Sequence, residues 1–214
     1  MEIILPDEVY QVISKFIKAD FKIYLVGGVV RDILLKRAHK DWDLTTSATP
    51  EQILELFPDG FYNNQFGTVG IKLSDVSSQT STAQILEITT MRKEGVYEDS
   101  RHPTEVSWTK DIEEDLARRD FTINAMAMEL SESGKPTLVD PFKGQGDLKM
   151  KLIRAVGEAD KRFQEDALRM MRAVRFSSQL NFDIEEKTFV SIKENAKLIQ
   201  NISCLLYTSD AADE

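Results

Sequence analysis

Cysteine and histidine are scarce in this sequence of 214 residues, and basic residues are fewer than acidic ones. The single cysteine, Cys204, excludes an internal disulfide and is typical of a reducing compartment, so we expect a cytoplasmic location. The two histidines, His39 and His102, have no cysteine or histidine neighbours and form no zinc ligand set. The formal net charge of −9 argues against a protein that coats nucleic acid without sequence preference, but it leaves room for a local basic groove.

Long apolar runs are also missing. No segment is apolar over the length that a membrane span requires, and the first residues, MEIILPDEVY, do not follow a signal-peptide pattern. We therefore expect no membrane partner, and no feature of the sequence indicates a protein partner. The chain contains neither G-x-G-x-x-G nor the Walker motif, which argues against a dinucleotide fold and against a P-loop.

Strand and helix periodicities alternate up to about residue 150, and helical periodicity dominates after it. Strands are expected at FKIYLV, DWDLTT, TVGIKL, ILEITT and TLVDP. Thr49 is a predicted N-cap with Pro50 at the first helical position, and one helix is expected to run from Asp111 through DIEEDLARRDFTINAMAME. This pattern predicts an α+β domain followed by an all-helical one.

A glycine pair precedes the helix predicted at VVRDILLK. Gly27 and Gly28 would expose backbone N–H groups at the positive end of that helix, where a phosphate can bind. Arg31 lies three residues after Gly28 and could add a charged donor. The alternative is a tight turn with no ligand.

Two aspartates follow in KDWDLTT. Asp41 and Asp43 alternate with Trp42 and Leu44, so in a strand both carboxylates would share one face. Because Mg²⁺ uses few carboxylates and completes its shell with phosphate oxygens, the pair is a candidate metal site. Solvated surface acids are the alternative.

A third carboxylate is available in the strand predicted at ILEITT. Glu87 lies between Leu86 and Ile88, and it could join the two aspartates or simply face solvent. The sequence leaves both interpretations open.

Two further stretches could contact a nucleotide. RRDFTINAMA holds Arg119, Asp120 and Asn124 within what would be two helical turns; Asp and Asn can bond a ribose hydroxyl, and Arg can pair with phosphate. The alternative is a helix with ordinary charge pairs.

EDALRMMRAVRF is predicted to place Asp166 and Arg169 on one helix face, with Arg172 and Arg175 continuing the three-residue step. An acceptor beside a donor fits the pairing edges of cytosine and adenine and clashes with those of uracil and guanine. An intrahelical salt bridge is the alternative.

The blocks LVGGVVRDILL with KDWDLTT, EEDLARRDFTINAMA, DPFKGQGDL and RFQEDALRMMRAVRF occur in a recognisable order. Over nearly all of residues 20–203 the chain resembles the bacterial class II tRNA nucleotidyltransferases, the CCA-adding enzymes, and the related poly(A) polymerases. More widely, it is similar to the superfamily that includes DNA polymerase beta.

The resemblance implies a nucleotidyltransferase head with a small mixed β-sheet flanked by helices, followed by a helical neck that recognises the base. It implies Mg²⁺ held by Asp41 and Asp43, with Glu87 as a third catalytic carboxylate. It implies CTP and ATP as substrates and the 3′ end of tRNA as the partner. CC-only addition, A-only addition and poly(A) synthesis use the same blocks and stay open.

The residues that the resemblance assigns to nucleotide binding are Gly27, Gly28, Arg31, Arg119, Asp120, Asn124, Asp166, Arg169, Arg172 and Arg175. In the family a flexible loop helps the pocket switch from C to A, and the matching stretch here holds Arg92, Tyr97, Asp99, Arg101 and His102.

The expected domains are a head at 1–148, a neck at 149–203 and an atypical tail at 204–214. The tail, CLLYTSDAADE, departs from the family pattern and indicates a truncated gene or an assembly junction near Cys204; a divergent natural terminus is the alternative. A truncated chain could also be a non-catalytic nucleotide- or RNA-binding fragment.

Overall fold

The computed structural model describes residues 3, 5–39, 41–62, 67–73, 85–95, 105–130 and 136–201. The chain forms two compact units: unit 1 is drawn from Met1–Lys93, Trp108–Leu116 and Met126–Pro141, and unit 2 from Glu94–Ser107, Ala117–Ala125 and Phe142–Glu214. The expected head at 1–148 and neck at 149–203 stay a prediction. The tail at 204–214 and the loop residues Tyr97, Asp99, Arg101 and His102 lie outside the described residues.

The strands in the described ranges are short. They are β1 Ile23–Val26, β2 Leu44–Thr46, β3 Phe61–Tyr62, β4 Thr68–Lys72, β5 Ile85–Thr90, β6 Arg92–Glu94, β7 Val106–Trp108, β8 Ala127–Glu129, β9 Thr137–Val139, β10 Leu152–Ile153 and β11 Asp183–Ile184. Seven of them form one sheet in the order β3-β4-β5-β2-β1-β8-β9, while β6 pairs with β7 and β10 with β11.

The helices are α1 Asp7–Lys18, α2 Gly28–Leu34, α3 Pro50–Leu56, α4 Ile112–Ala117, α5 Gly144–Met150, α6 Ala159–Glu165, α7 Leu168–Leu180 and α8 Glu186–Asn195. The predicted start of α3 is confirmed: Thr49 Oγ1 accepts the N–H of Gln52, and the Gln52 side chain accepts the N–H of Thr49. This reciprocal pair satisfies two N–H groups that a helix start would otherwise leave unbonded. None of the helices in the described ranges combines the length and apolar character that a membrane crossing requires.

The large sheet is mixed, because β2 and β5 run parallel while its other described pairings are antiparallel. Its side chains alternate between two faces. The apolar face consists of Ile23, Leu25, Leu44, Val69 and Ile88, all at most 1% exposed. Burial of these aliphatic side chains is the main source of stability in this unit. The α+β prediction, with a mixed sheet and flanking helices, is therefore confirmed.

Helices predominate in the later part of unit 2, as expected, although the short parallel pair of β10 and β11 lies among them. A buried polar network connects these elements. Asp147 is 3% exposed and accepts from Thr122 Oγ1 at 2.6 Å and from Arg154 Nε at 3.1 Å. Arg154 also reaches Glu185 at 3.1 Å, and Glu185 accepts the N–H of Thr188 at the start of α8. Because each buried polar group has a partner, the network avoids the cost of an unsatisfied charge.

The single helix predicted through DIEEDLARRDFTINAMAME is wrong. Helix α4 ends at Ala117, a short 3₁₀ turn covers Thr122–Asn124, and Ala127–Glu129 forms strand β8. Every residue from Phe121 to Met128 is buried. Strand β8 lies inside the sheet, between β1 and β9, where both of its faces can be covered. The burial that this position provides overrides the local helical pattern.

Candidate functional site

The glycine pair and the two aspartates lie at the same end of the central sheet. Strands β1 and β2 are antiparallel, with Leu25 opposite Leu44, so the end of β1 meets the start of β2. The N–H of Val26 donates to the carbonyl of Asp43 at 3.0 Å and extends this ladder by one step. The glycine turn therefore begins directly after the residue that is bonded to Asp43, although more than a dozen positions separate the two motifs in the sequence.

Gly27 makes the turn from β1 into α2 with a backbone conformation that other residues avoid. Its φ of 71° and ψ of −131° are strained for any residue with a Cβ. Its N–H donates to the carbonyl of Met126 at 3.3 Å. Of the two glycines, Gly28 is therefore the better placed to offer its N–H to a ligand, because it is the first residue of α2.

Substitution should separate the roles of the two glycines. We expect Gly27→Ala to lower the free energy of unfolding by about 1–3 kcal/mol, because alanine is strained in this conformation. Gly28→Ala should leave it nearly unchanged, since a Cβ there would meet Arg31 Nη2 at an ordinary 3.5 Å. Chemical denaturation of both variants measures the difference; equal losses would show that the turn does not require the glycine conformation.

Arg31 is held beside this turn by its neighbour. Its Nε and Nη2 donate to the two carboxylate oxygens of Asp32, each at 3.0 Å, and both side chains are mostly buried. Such a bidentate pair fixes the plane of the guanidinium group. Arg31 is thus oriented next to Gly28 before any ligand arrives.

Asp41 and Asp43 are both exposed, whereas Leu44 is 1% exposed and Trp42 is partly buried. Trp42 packs edge to face on His39, with ring centroids 4.5 Å apart. The alternation agrees with the predicted strand periodicity, but β2 itself begins only at Leu44. The predicted strand over DWDLTT is therefore shorter at its start than expected.

The sheet register brings Glu87 level with Asp43. Leu44 pairs with Ile88 in the parallel β2–β5 ladder, so one step earlier Asp43 is beside Glu87. Leu44 and Ile88 are buried on the apolar face, and Asp43 and Glu87 are exposed on the other face, which we call the site face. In the described ranges there is no group of three or more His, Cys, Asp or Glu arranged to hold a metal ion. The metal site predicted at Asp41 and Asp43 stays a prediction.

In unit 2, Asp120 is hydrogen-bonded to two of the other predicted nucleotide-binding residues. It is 8% exposed; its Oδ2 accepts from Arg172 Nε at 2.8 Å, and its Oδ1 accepts from Asn124 Nδ2 at 3.4 Å. Burial raises the pKa of the Asp120 carboxyl, but Arg172, the N–H of Phe121 and the charge of Arg169 outweigh burial and hold that pKa below its usual range. The carboxyl is therefore ionised at neutral pH.

Asp166 and Arg169 do not share a helix face as predicted. Asp166 lies in an extended conformation between α6 and α7, where its Oδ1 accepts the N–H of Leu168 at 2.9 Å. Arg169 is 7% exposed and donates to Glu165 Oε2 at 2.9 Å and to the carbonyl of Arg118 at 2.9 Å. The helix breaks because the Asp166 carboxylate satisfies an N–H at the start of α7.

Glu165 is the residue that the sequence interpretation missed. It accepts from Arg169, four residues later, and also from Arg162 Nη2 at 2.7 Å. An i,i+4 pairing of Glu165 with Arg169 was available as a signal in the sequence. Two other predicted residues, Arg119 and Arg175, are partly buried. Arg119 directly precedes Asp120, and the guanidinium group of Arg175 lies 5.4 Å from the centroid of the Phe176 ring.

A mixed sheet with a glycine turn at one end agrees with the fold expected of a nucleotidyltransferase head. The family model described as "Poly A polymerase head domain" matches residues 23–154. The chain belongs to this family, and the resemblance inferred from the sequence blocks is confirmed.

Several curated relatives carry the name CCA-adding enzyme. One from Lactobacillus helveticus is 48% identical over 203 residues, covering 93% of this chain and 48% of its own length. Another from Geobacillus kaustophilus is 46% identical over 198 residues, with 90% and 45% covered. The chain therefore spans about half the length of the curated relatives it matches.

Solved structures show the same similarity. The Bacillus stearothermophilus CCA-adding enzyme in complex with CTP is 39% identical with a TM-score of 0.79, over 94% of this chain and 46% of that one. A tRNA nucleotidyltransferase complexed with a primer tRNA and an incoming ATP analog is 31% identical with a TM-score of 0.66, over 87% and 50%.

Proposed function

We propose that this chain is the catalytic part of a tRNA nucleotidyltransferase that adds CMP and AMP, from CTP and ATP, to the 3′ end of tRNA. The observation that carries the proposal is the meeting of the Gly27–Gly28 turn with Asp41 and Asp43 at one end of the sheet. The family match and relatives named as CCA-adding enzymes, one of them solved with CTP, support the same activity.

The donor set fits Mg²⁺. Asp41 and Asp43 offer only carboxylate oxygens and are exposed to solvent, so substrate phosphates and water could complete the coordination shell. When bound there, Mg²⁺ would supply positive charge to neutralise the triphosphate and to make the attacking hydroxyl more acidic. Histidine and cysteine, which softer metals prefer, are not part of this set.

The reaction would be an in-line transfer. The 3′-hydroxyl of the RNA loses its proton near Asp41 and Asp43 and attacks the α-phosphorus of CTP or ATP, and the bond to pyrophosphate breaks. Gly28 and the oriented Arg31 guanidinium would bind the phosphates. Most of the rate enhancement would come from positioning and electrostatics.

Selection of the base would fall to unit 2. We infer that Asp120 and Asn124 contact the ribose, that Arg119, Arg172 and Arg175 contribute positive charge, and that Asp166 and Arg169 read the base edge. Among the described residues, three of the five N–H groups of the Arg169 guanidinium already donate to protein oxygens. These bonds would hold its remaining edge in place for cytosine or adenine.

Nucleotide addition to a tRNA that ends before CCA tests the proposal, with an unrelated RNA as the comparison. We expect incorporation of CMP, then AMP, and then arrest. An AMP ladder on any RNA would instead assign poly(A) synthesis, and addition of C alone or A alone would assign a partial enzyme. No incorporation, together with retained CTP binding, would identify a non-catalytic fragment, which the half-length coverage of the relatives makes a specific alternative.

A further inference from the structure

A row of side-chain positions crosses the site face from the edge of the sheet to the carboxylates. The antiparallel registers pair Phe61 on β3 with Gly70 on β4, and Gly70 with Glu87 on β5. Asp43 is the next position along, beside Glu87. Residues that pair directly across strands point to the same face, so Phe61 and the two carboxylates share it.

The Phe61 ring lies with its face on Gly70. A Cβ built on Gly70 would be 2.5 Å from Phe61 Cζ and 2.9 Å from both Cε atoms. The distances to the two Cε atoms are equal and only slightly longer than the distance to Cζ. Such a Cβ would therefore lie above the plane of the ring, because a Cβ in that plane would be farther from both Cε atoms. The glycine therefore makes room for the ring, and Phe61 remains 36% exposed.

A cationic and an apolar side chain accompany this ring on the same face. Lys72 lies two residues after Gly70 and is exposed, and it pairs with Ile85, which is 49% exposed. An exposed aromatic face beside a lysine is the combination that binds single-stranded nucleic acid, through base stacking and contact with phosphate.

We propose that Phe61 stacks against a base of the RNA strand being extended and that Lys72 contacts a phosphate of the same strand. Neighbouring strands lie about 4.8 Å apart, so a ring over Gly70 is about 10 Å from Asp43, two strands away. An RNA whose 3′-hydroxyl reaches the carboxylates can pass over this ring. The proposal deepens the proposed function, on which it rests, by assigning a binding surface to the primer strand.

Tyr62 supplies a matched control. It is the next residue on the same edge strand, is 46% exposed, and pairs with Val69, which places it on the opposite face. Phe61→Leu keeps an apolar cover over Gly70 but removes the π face, whereas Phe61→Tyr keeps both. A general effect of apolar area or of edge-strand stability would appear equally in Tyr62→Leu.

The experiment measures the affinity of the full chain and each variant for a fluorescent single-stranded RNA ending in cytidine, and separately for CTP. We expect Phe61→Leu to weaken RNA binding about tenfold. Phe61→Tyr should keep the wild-type affinity, and Tyr62→Leu should change the affinity less than about twofold. Lys72→Ala should reduce the salt dependence of RNA binding. CTP affinity and thermal unfolding should stay unchanged in every variant.

The results that would overturn the proposal are equally specific. Unchanged RNA affinity in Phe61→Leu, or an equal loss in Tyr62→Leu, would show that the ring only covers Gly70. A loss of CTP affinity alone would assign the ring to the incoming nucleotide. Because RNA affinity needs no turnover, a wild-type chain that adds no nucleotide refutes the proposed function without deciding the role of Phe61.

Discussion

Replacing Asp43 with alanine is expected to lower nucleotide addition by about 10³-fold or more, while the free energy of unfolding stays within about 0.5 kcal/mol of the wild-type value. The Asp43 side chain is exposed, so its removal leaves no cavity in the core. The Asp43→Ala substitution also removes one of the two carboxylates proposed to hold Mg²⁺. We expect the same loss of activity from Asp41→Ala.

Asp59→Ala is the matched control, because Asp59 is an exposed acid in unit 1 outside the site. Primer extension with CTP and thermal unfolding are measured for all three variants. Magnesium-dependent CTP binding adds a readout that does not depend on turnover. Full activity in either site variant would refute the metal assignment. A comparable loss of activity in Asp59→Ala would show that the effect comes from the change in net charge.

Replacing Arg169 with alanine should have the largest effect on stability. The guanidinium group is 7% exposed, pairs with Glu165 and donates to the carbonyls of Arg118 and Arg162. Its removal takes one donor from the Glu165 carboxylate, which keeps its bond from Arg162, and one donor from each of the two carbonyl groups. The loss of three such bonds is expected to cost about 3–5 kcal/mol of unfolding free energy. Urea denaturation measures this loss.

Lys161→Ala is the control for Arg169→Ala, because Lys161 forms a solvent-exposed ion pair with Glu158 and its side chain is 70% exposed. Such a pair contributes less than about 1 kcal/mol. Arg169→Lys keeps the charge without the planar fork, and we expect it to fold and to discriminate less well against UTP. Unchanged discrimination in that variant would count against the base-reading role, whatever the stability result.

Local chemistry made parts of this fold predictable from sequence. The start of α3 follows from Thr49, Pro50 and Gln52 alone, because all the groups that cap the helix lie within one turn. The turn at Gly27 and Gly28, between a strand and a helix, likewise follows from residues a few positions apart. Predictions of this kind succeed because no distant part of the chain has to be known.

The errors arose where distant residues decide the outcome. The stretch from Phe121 to Met128 is helical by pattern but enters the sheet, because it is buried along its whole length. Asp120 bonds Arg172, 52 positions away, and no local periodicity indicates that pair. The sequence pattern does not predict the break at Asp166, because an aspartate can lie within a helix or can cap the start of the next helix with its carboxylate.

The parallel pairing of β2 with β5 has a consequence for how the protein folds. Thr45 Oγ1 donates to the carbonyl of Thr89, so this ladder closes a loop of 44 residues, whereas the β1–β2 pairing needs a much shorter one. Contacts between distant positions slow folding, because chain entropy is lost before they form. During synthesis, the glycine turn can meet its aspartates early, but Glu87 can take its place beside Asp43 only after β5 has left the ribosome.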